Sequence, residues 1–281
     1  METPQIVTTV PALRDRVAAW RRDGARVGLV PTMGALHEGH LALVRQTQSR
    51  VEKVVASIFV NPAQFAPHED FDRYPRDLQS DAAKLATAGL DLIFAPAVGE
   101  IYPPGFATTV RVGGPSEGLE TDVRPHFFAG VATVVAKLLI AALPDVAIFG
   151  EKDYQQLLVI RRLTADLGLP VEILGAPIVR EPDGLALSSR NAYLGADQRV
   201  IAGRLNLVLR DAITRLKHGD DIATVEQFAR SDLREAAFNS IDYVAVRDAH
   251  TLAKIERLDR PARILAAAKI GATRLIDNMA V

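Results

Sequence analysis

Short apolar runs alternate with amphipathic helical segments through the first 175 residues, and this alternation limits the possible folds more than any other pattern in the chain. The run RVGLV at residues 26–30 is rich in β-branched residues and does not alternate polar with apolar positions, as in a strand buried on both faces. Strands are predicted at residues 26–30, 53–60, 92–95, 146–149 and 171–174, and helices at 11–22, from about 40, and at 76–87, 131–142 and 155–167. This order predicts βαβ units and hence an α/β fold with a Rossmann-like, doubly wound parallel sheet. The loops after the strands then lie at one edge of the sheet, where such sheets bind ligands.

The pattern changes beyond residue 175. Helices are predicted at residues 195–217 and 222–237, and short strands at 243–247, 263–268 and 274–277, which suits a small antiparallel sheet. We therefore divide the chain into a Rossmann-like domain, residues 1–175, and a smaller α+β domain, residues 176–281, that acts as a lid. Residues 102–125 form the longest irregular segment, a candidate for a lid or a subunit contact.

Charge and composition exclude several classes of function. Lys and Arg total 33 against 34 Asp and Glu, so no overall positive field exists to gather nucleic acid or an anionic membrane. The chain has no cysteine, which excludes disulfides, thiolate nucleophiles and cysteine-bound zinc. Residues 1–9 lack the basic start and apolar core of a secretory signal, and no apolar run approaches the ~20 residues of a membrane span. We therefore expect a cytoplasmic protein without nucleic-acid or membrane partners.

The strongest local signal is PTMGALHEGH at residues 31–40, between the first predicted strand and the next helix. Gly34 and Gly39 let the backbone approach a ligand closely. His37 and His40 lie at the helix N-terminus, where free N–H groups and the helix dipole favour phosphate. The alternative interpretation is that one of the two histidines caps the helix and the other is a surface residue. A zincin site does not fit, because HExxH needs a spacing that this segment lacks.

A strand followed by H-x-G-H resembles the ATP-binding signature of the nucleotidylyltransferase superfamily, and the further motifs resemble one of its members, the pantothenate synthetase family. The similarity runs in order through FVNPAQF (59–65), RYPR (73–76), FGEKDYQQ (149–156), ALSSRN (186–191) and RLIDN (274–278). It implies an ATP-dependent ligase that condenses pantoate with β-alanine to give pantothenate, AMP and pyrophosphate through a pantoyl adenylate. It also implies small-molecule partners and a homodimer. A Walker A loop and a GxGxxG fingerprint are both absent from the sequence.

The resemblance also implies roles for individual residues. The implied catalytic residues are His37, His40, Lys152, Ser188, Ser189 and Arg190. The implied ATP-binding residues are Met33, Gly34, His37, His40, Gly150, Lys152, Asp153, Val179, Leu187, Ser188, Ser189 and Arg190. Gln64 is implied to contact pantoate and β-alanine, and Gln156 to contact pantoate. Mg²⁺ is expected on the phosphates, with Asp81 as a candidate protein ligand.

One segment departs from the family pattern R-P-x-H-F-x-G, because residues 124–130 read RPHFFAG. Phe127 occupies the usual histidine position, and His126 lies one place earlier, where we expect it to point elsewhere. This segment is therefore left out of the predicted site.

Other interpretations stay open at the level of the sequence. Asn61 and Pro62 form a common turn signal, and a cap of that turn is the alternative role for Gln64. Lys152 beside two acids is compatible with a solvated loop. H-x-G-H alone also fits a nucleotidyltransferase that releases its nucleotidyl product. An orphan nucleotide- or tRNA-binding domain related to class I tRNA synthetases is a further alternative, although the balanced charge argues against RNA.

Overall fold

The computed structural model describes residues 3–66, 69 and 71–281. Its strands form a six-stranded parallel sheet and a three-stranded antiparallel sheet. The parallel strands are β1 (Gln5–Val7), β2 (Val27–Thr32), β3 (Lys53–Ile58), β4 (Leu92–Phe94), β5 (Val146–Gly150) and β6 (Glu172–Ala176). The antiparallel strands are β7 (Ser240–Asp248), β8 (Ala262–Ile270) and β9 (Thr273–Ala280). The α-helices are α1 (Val10–Arg22), α2 (Glu38–Gln48), α3 (Leu78–Thr87), α4 (Val98–Ile101), α5 (Glu120–Val123), α6 (Phe127–Ala142), α7 (Tyr154–Asp166), α8 (Ala196–Lys217) and α9 (Ile222–Glu235).

The order of the large sheet is β1-β4-β3-β2-β5-β6, which confirms the predicted Rossmann-like α/β fold. From β2 the chain extends the sheet to one side through β3 and β4, and from β5 it extends the sheet to the other side through β6. The loops after β2 and β5 therefore diverge and leave a crevice between them. Doubly wound sheets bind ligands at this position.

The central strand β2 is buried on both faces, as its sequence predicts. Val27 and Leu29 belong to an apolar cluster with α1, α6 and α7, whereas Val30 belongs to a second cluster with α2 and α3. Gly28 allows α2 to pack closely, since a Cβ there would lie 2.2 Å from Cγ2 of Thr47. The loop that follows β2 thus starts from a rigid support.

Some element boundaries differ from the sequence prediction. β1 was not predicted, because a three-residue edge strand with one buried side chain, Val7, shows no periodicity. α2 begins at Glu38, earlier than predicted, because His37 caps it. α6 begins at Phe127 instead of residue 131. The glycine at position 130 suggests a helix boundary in the sequence. In the structure it lies within α6 and allows close contact with the backbone of Ala63, since a Cβ would lie 2.2 Å from the carbonyl oxygen of that residue.

The antiparallel sheet lies between α8 and α9 on one face and the first domain on the other. Val244, Ile264 and Ala266 pack against the two helices. Tyr243 and Leu265 belong to the cluster that contains α6 and α7. The two predicted domains therefore share part of their core, and the lid role of residues 176–281 stays a prediction. In the described part of the chain, no helix combines the length and the apolar character needed to cross a membrane.

Candidate active site

A cleft of about 930 Å³ lies at the carboxyl ends of β2, β3 and β5. The loops after these strands, the segment 177–191 and β9 form its walls. The predicted site residues that line it are Met33, His37, His40, Gln64, Gly150, Lys152, Asp153, Gln156, Val179, Leu187, Ser188, Ser189 and Arg190. Segments that are far apart in sequence thus converge on one space, as the motif assignments require.

His37 and His40 cap the first turn of α2. Nδ1 of His37 accepts a hydrogen bond from the backbone N–H of Gly39 at 3.2 Å, and Nδ1 of His40 accepts one from the backbone N–H of His37 at 3.3 Å. The ring centroids are 4.2 Å apart. Because both Nδ1 atoms are acceptors, each neutral ring carries its proton on Nε2, where it can be donated to an anion. The two histidines are therefore a helix cap and part of the cleft wall at once.

Burial and nearby cations keep both imidazoles neutral at pH 7. Burial, followed by the positive charges of Lys152 and Lys84, lowers the pKa of His37 to about 4, against the smaller opposing effect of Asp153. Burial, followed by His37 and Lys152, lowers the pKa of His40 to about 3. Neutral rings can still act as N–H donors. The two histidines are therefore better suited to hydrogen bonding with an anionic oxygen than to donating a proton as an acid.

The two glycines of this loop serve different structural purposes. A Cβ at Gly39 would lie 2.9 Å from the His37 ring atoms Cε1 and Nδ1, so a side chain there would displace the imidazole. Gly34 has a φ of 83°, and a Cβ there would lie 2.9 Å from Oδ2 of Asp81. Gly34 shapes the turn behind the cleft and is outside its lining, so the structure does not support the predicted contact with ATP.

Asp81 holds the same loop from behind. The residue is 2% exposed, and its two carboxylate oxygens accept hydrogen bonds from the backbone N–H groups of Ala35 at 2.9 Å and Leu36 at 2.8 Å. Ala35 has a φ of 51°, in the left-handed region that costs a non-glycine residue energy, so the turn needs such support. Asp81 is outside the cleft lining, and this geometry does not support it as a magnesium ligand.

Gln64 ends a short 3-10 helix, Pro62–Gln64, that Asn61 caps. Oδ1 of Asn61 accepts from the Ala63 N–H at 3.2 Å and from the Tyr102 hydroxyl at 2.8 Å. Asn61 Nδ2 donates to Oε1 of Gln64 at 3.1 Å and to the carbonyl oxygen of Gly130 at 3.2 Å. Asn61 is therefore the turn cap, and the amide of Gln64 is fixed in the cleft wall.

Lys152 lies in a 3-10 turn, Glu151–Asp153, between β5 and α7. Its side chain is 20% exposed, and Nζ is 3.9 Å from Oδ2 of Asp153. Lys152 lines the same cleft as His37 and His40, and its positive charge contributes to the lowered pKa of both rings. Lys152 therefore belongs to the cleft and is not a solvated loop lysine.

The ALSSRN segment forms the opposite wall. Oγ of Ser188 accepts from the Arg190 N–H at 3.3 Å and caps the 3-10 helix Ser189–Tyr193. Oγ of Ser189 lies 3.3 Å from the Tyr74 hydroxyl, within the RYPR segment. The ALSSRN and RYPR segments, which both resemble the family, are thus in contact at the cleft.

Charged residues near the C-terminus join this wall to the rest of the site, although the sequence prediction gave them no role. Arg274 donates to both carboxylate oxygens of Glu120, at 2.7 and 2.9 Å, and to Asp242 at 2.6 Å. Arg180 donates to both oxygens of Asp277, at 2.7 and 2.8 Å. The RLIDN segment is the sequence feature that could have identified Arg274 and Asp277. Charged residues within a mostly buried strand need partners, and such partners join the strand to other segments.

His126 and Phe127, the adjacent aromatic residues at the start of α6, lie in different environments. Phe127 lines the cleft, with the guanidinium carbon of Arg124 3.9 Å from its ring centroid. His126 is outside the lining, which agrees with the expectation that it points elsewhere. Its Nε2 is buried without a hydrogen-bond partner among the described residues.

The described residues contain no group of three or more His, Asp or Glu side chains that could hold a metal ion. Asp153 lines the cleft with a side chain that is 45% exposed. Mg²⁺ commonly takes one or two protein carboxylates and completes its coordination with phosphates and water. The donor set therefore fits a magnesium ion that arrives with a nucleotide.

Comparison with known proteins agrees with this geometry. A family model described as pantoate-beta-alanine ligase matches residues 5–280. The chain is similar to the pantothenate synthetase of Mesorhizobium japonicum, with 57% identity over 283 residues that cover 100% of this chain and 99% of that protein. It is also similar to the pantothenate synthetase of Paramagnetospirillum magneticum, with 58% identity over 276 residues that cover 98% and 97% of the two chains.

Two solved structures share the fold over nearly their whole length. The crystal structure of pantothenate synthetase from Thermus thermophilus superposes with a TM-score of 0.92, at 48% identity and with 98% of each chain covered. A pantoate-beta-alanine ligase from Francisella tularensis, complexed with beta-gamma ATP and beta-alanine, superposes with a TM-score of 0.84. The identity is 32%, and the superposition covers 99% of this chain and 97% of that one.

Proposed function

This chain belongs to the pantoate-beta-alanine ligase family. From that premise we propose that it is an AMP-forming ligase, which uses ATP to join pantoate to β-alanine through a pantoyl-adenylate intermediate formed in the cleft. In the first step, a pantoate carboxylate oxygen attacks the α-phosphorus of ATP, and the bond to the β-phosphate oxygen breaks as pyrophosphate leaves. In the second step, the β-alanine amine attacks the acyl carbon, and AMP leaves. The amine loses a proton as the amide forms.

The first step needs positioning and charge stabilisation more than a base. A carboxyl group with a pKa near ~4 is already ionised at neutral pH, so the nucleophile is ready. Positioning alone can supply roughly 7 to 11 kcal/mol, whereas one general acid or base contributes ~10²- to 10⁴-fold. The Nε2–H groups of His37 and His40 then donate to phosphoryl oxygens, as expected for neutral rings at a helix N-terminus.

Cations and hydroxyl groups complete the proposed phosphate site. Lys152 approaches from the β5 loop, and Ser188, Ser189 and Arg190 from the opposite wall. Val179 and Leu187, which are joined by a backbone hydrogen bond of 2.9 Å, border the proposed adenine pocket. Asp153, a partly exposed carboxylate in the lining, would help to hold Mg²⁺ on the phosphates, and the ion would neutralise phosphate charge.

Gln64 and Gln156 face the proposed acyl site. Both line the cleft, where Gln64 is fixed by Asn61, and amides there can bind the hydroxyl and carboxylate groups of pantoate. Phe127 and Val131 add an apolar wall that suits the two methyl groups of that substrate. In the second step, Gln64 orients β-alanine. No described side chain in the lining is an evident base for the amine.

The observation that carries the proposal is the convergence of the histidine turn, the Lys152 loop and the serine-arginine turn on one cleft. The test is product analysis of the purified protein with ATP, pantoate and Mg²⁺, with and without β-alanine. We expect AMP and pantothenate to accumulate only when β-alanine is added, and pyrophosphate exchange into ATP to require pantoate alone. A stable adenylylated product that accumulates without β-alanine would favour a nucleotidyltransferase.

Homodimer formation and a cytoplasmic location are also part of the proposal, and both rest on the family resemblance and the sequence pattern. Sedimentation equilibrium of the purified chain tests the first. We expect a mass of twice 30.4 kDa, and a monomer at micromolar concentration would contradict it.

A further inference from the structure

The side chain of Asn278, in β9, contacts the backbone of the loop that carries Lys152. Its Nδ2 lies 2.9 Å from the carbonyl oxygen of Glu151 and 2.9 Å from that of Lys152. A side-chain amide nitrogen has two hydrogens, so one can be donated to each carbonyl. Asn278 is 2% exposed, so water does not compete for these bonds.

Arg263, in β8, fixes the orientation of that amide. Its Nε donates to Oδ1 of Asn278 at 2.5 Å, which directs Nδ2 to the two carbonyl groups. Its Nη2 lies 3.0 Å from Oε2 of Glu151, and its guanidinium carbon lies 3.8 Å from the ring centroid of Tyr154. Arg263 and Asn278 together therefore contact Glu151, Lys152 and Tyr154.

The Lys152 loop has little internal support of its own. It is a single 3-10 turn of three residues, a form with poor hydrogen-bond geometry. Gly150, at the start of the turn, is held by its pairing with Ala176 in the parallel sheet, whereas the carbonyl groups of Glu151 and Lys152 are held by Asn278. Contacts from the antiparallel sheet therefore help to fix where the backbone of Lys152 lies.

We infer that Asn278 is a positioning residue that holds the Lys152 loop in register with His37 and His40, an inference that rests on the proposed function. Asn278 acts through the backbone of the loop, since its amide atoms are used on two carbonyl oxygens and on Arg263. The effect of the Lys152 charge on both histidines agrees with this arrangement. The antiparallel sheet thus has a specific task in the adenylation step.

The test compares Asn278→Asp with Ile264→Val. The aspartate keeps an acceptor for Arg263 but turns an oxygen toward the two carbonyl groups. Ile264 is adjacent to Arg263 in β8 but packs against α8 and α9, outside the cleft lining, so its substitution controls for loss of stability alone. The measurement is the rate of pantoate-dependent pyrophosphate exchange on protein shown to be folded by circular dichroism, together with the Kd of pantoate.

We expect Asn278→Asp to lower the exchange kcat roughly 10²-fold, the usual effect of displacing a catalytic group by about 1 Å, with the Kd of pantoate within twofold of the wild type. Ile264→Val should keep the wild-type kcat. A wild-type kcat in Asn278→Asp, or an equal loss in both variants, would overturn the inference. If Asn278→Asp does not fold, Arg263→Lys is used in its place. We expect a smaller loss of exchange kcat in that variant, and an unchanged kcat would overturn the inference. A wild-type protein without exchange would contradict the proposed function itself.

Discussion

At the scale of single residues, the site depends on histidines that have two tasks each. His37 and His40 use Nδ1 to cap the start of α2, and this use fixes the proton on Nε2. The sequence showed their spacing and their place before a helix. It could not show the tautomer, because that depends on backbone N–H groups whose positions follow from the turn. His40 is also partly buried.

Two substitutions at position 40 separate capping from donation. In His40→Asn, the amide oxygen can still accept the His37 N–H, but no donor remains at the Nε2 position. His40→Gln places an amide N–H near Nε2. We expect pantoate-dependent pyrophosphate exchange to fall roughly 10²- to 10³-fold in His40→Asn, the usual cost of one oxyanion donor, and less in His40→Gln. Equal losses in both variants, measured at matched folded fractions, would show that Nε2–H donation is not the role of this residue.

The depressed histidine pKa values also predict a pH dependence of stability. His has a pKa of about 6.5 in the unfolded chain, against about 4 for His37 and about 3 for His40 in the folded protein. Between these values the unfolded chain binds more protons, so the histidine contribution to stability is full above pH ~6.5. It is lost as the pH falls through about 4 for His37 and about 3 for His40. Denaturant unfolding from pH 7 to 4.5 should therefore give a steeper loss in the wild type than in His37→Gln/His40→Gln. Parallel curves for the two proteins would contradict the assignment.

At the scale of secondary-structure elements, the periodic segments were predictable and the supports of the loops were not. Strands such as β2 and helices such as α7 follow from apolar patterns that local physics imposes. Gly130 and Asp81 act through contacts between segments far apart in sequence, so a single sequence gives no measure of their role. Gly130 shows the difficulty, because it resembles a helix boundary and is instead a contact with the Pro62–Gln64 turn.

Gly130→Ala tests how α6 supports Gln64. The added methyl group would lie 2.2 Å from the carbonyl oxygen of Ala63, so the turn must move. We expect the KM values for pantoate and β-alanine to rise about tenfold or more, with the Kd of ATP nearly unchanged, since the nucleotide segments lie elsewhere in the cleft. Gly99→Ala is the matched control, because a Cβ there meets nothing within 4 Å. An equal change for all three ligands would argue against this local role.

At the scale of the whole molecule, the two parts of the chain meet through a shared core and buried ion pairs. Tyr243 and Leu265 pack with α6 and α7, and Arg274 pairs with Glu120 across the same boundary. The sequence predicted a second domain from the change in pattern, but the depth of its contact with the first could not be read from local signals. Any closure of this domain over the cleft would have to preserve or exchange these contacts.

Arg274→Met tests the strength of that boundary. Removal of the guanidinium takes two hydrogen bonds from the Glu120 carboxylate, which is 8% exposed and keeps only the Tyr243 hydroxyl at 2.7 Å and Arg124 at 3.7 Å. Breaking a buried pair costs about 3–5 kcal/mol of unfolding free energy, and the remaining partners place the expected loss at the lower end of this range. Arg199→Met is the control, since Arg199 makes a similar two-bond pair with Asp183 at the surface. Exposed pairs contribute about 0–1 kcal/mol. Similar losses in urea unfolding of the two variants would contradict a structural role for the boundary pair.

Attack of the pantoate carboxylate on the α-phosphorus of ATP within this cleft can be followed by oxygen-isotope transfer. Pantoate labelled with ¹⁸O in its carboxylate is incubated with the enzyme, ATP, Mg²⁺ and β-alanine, and the products are analysed by mass spectrometry. We predict one labelled oxygen in AMP and none in pyrophosphate, because the attacking oxygen stays with the α-phosphorus when the adenylate is cleaved. Unlabelled AMP, or label in inorganic phosphate formed together with ADP, would be incompatible with an acyl adenylate.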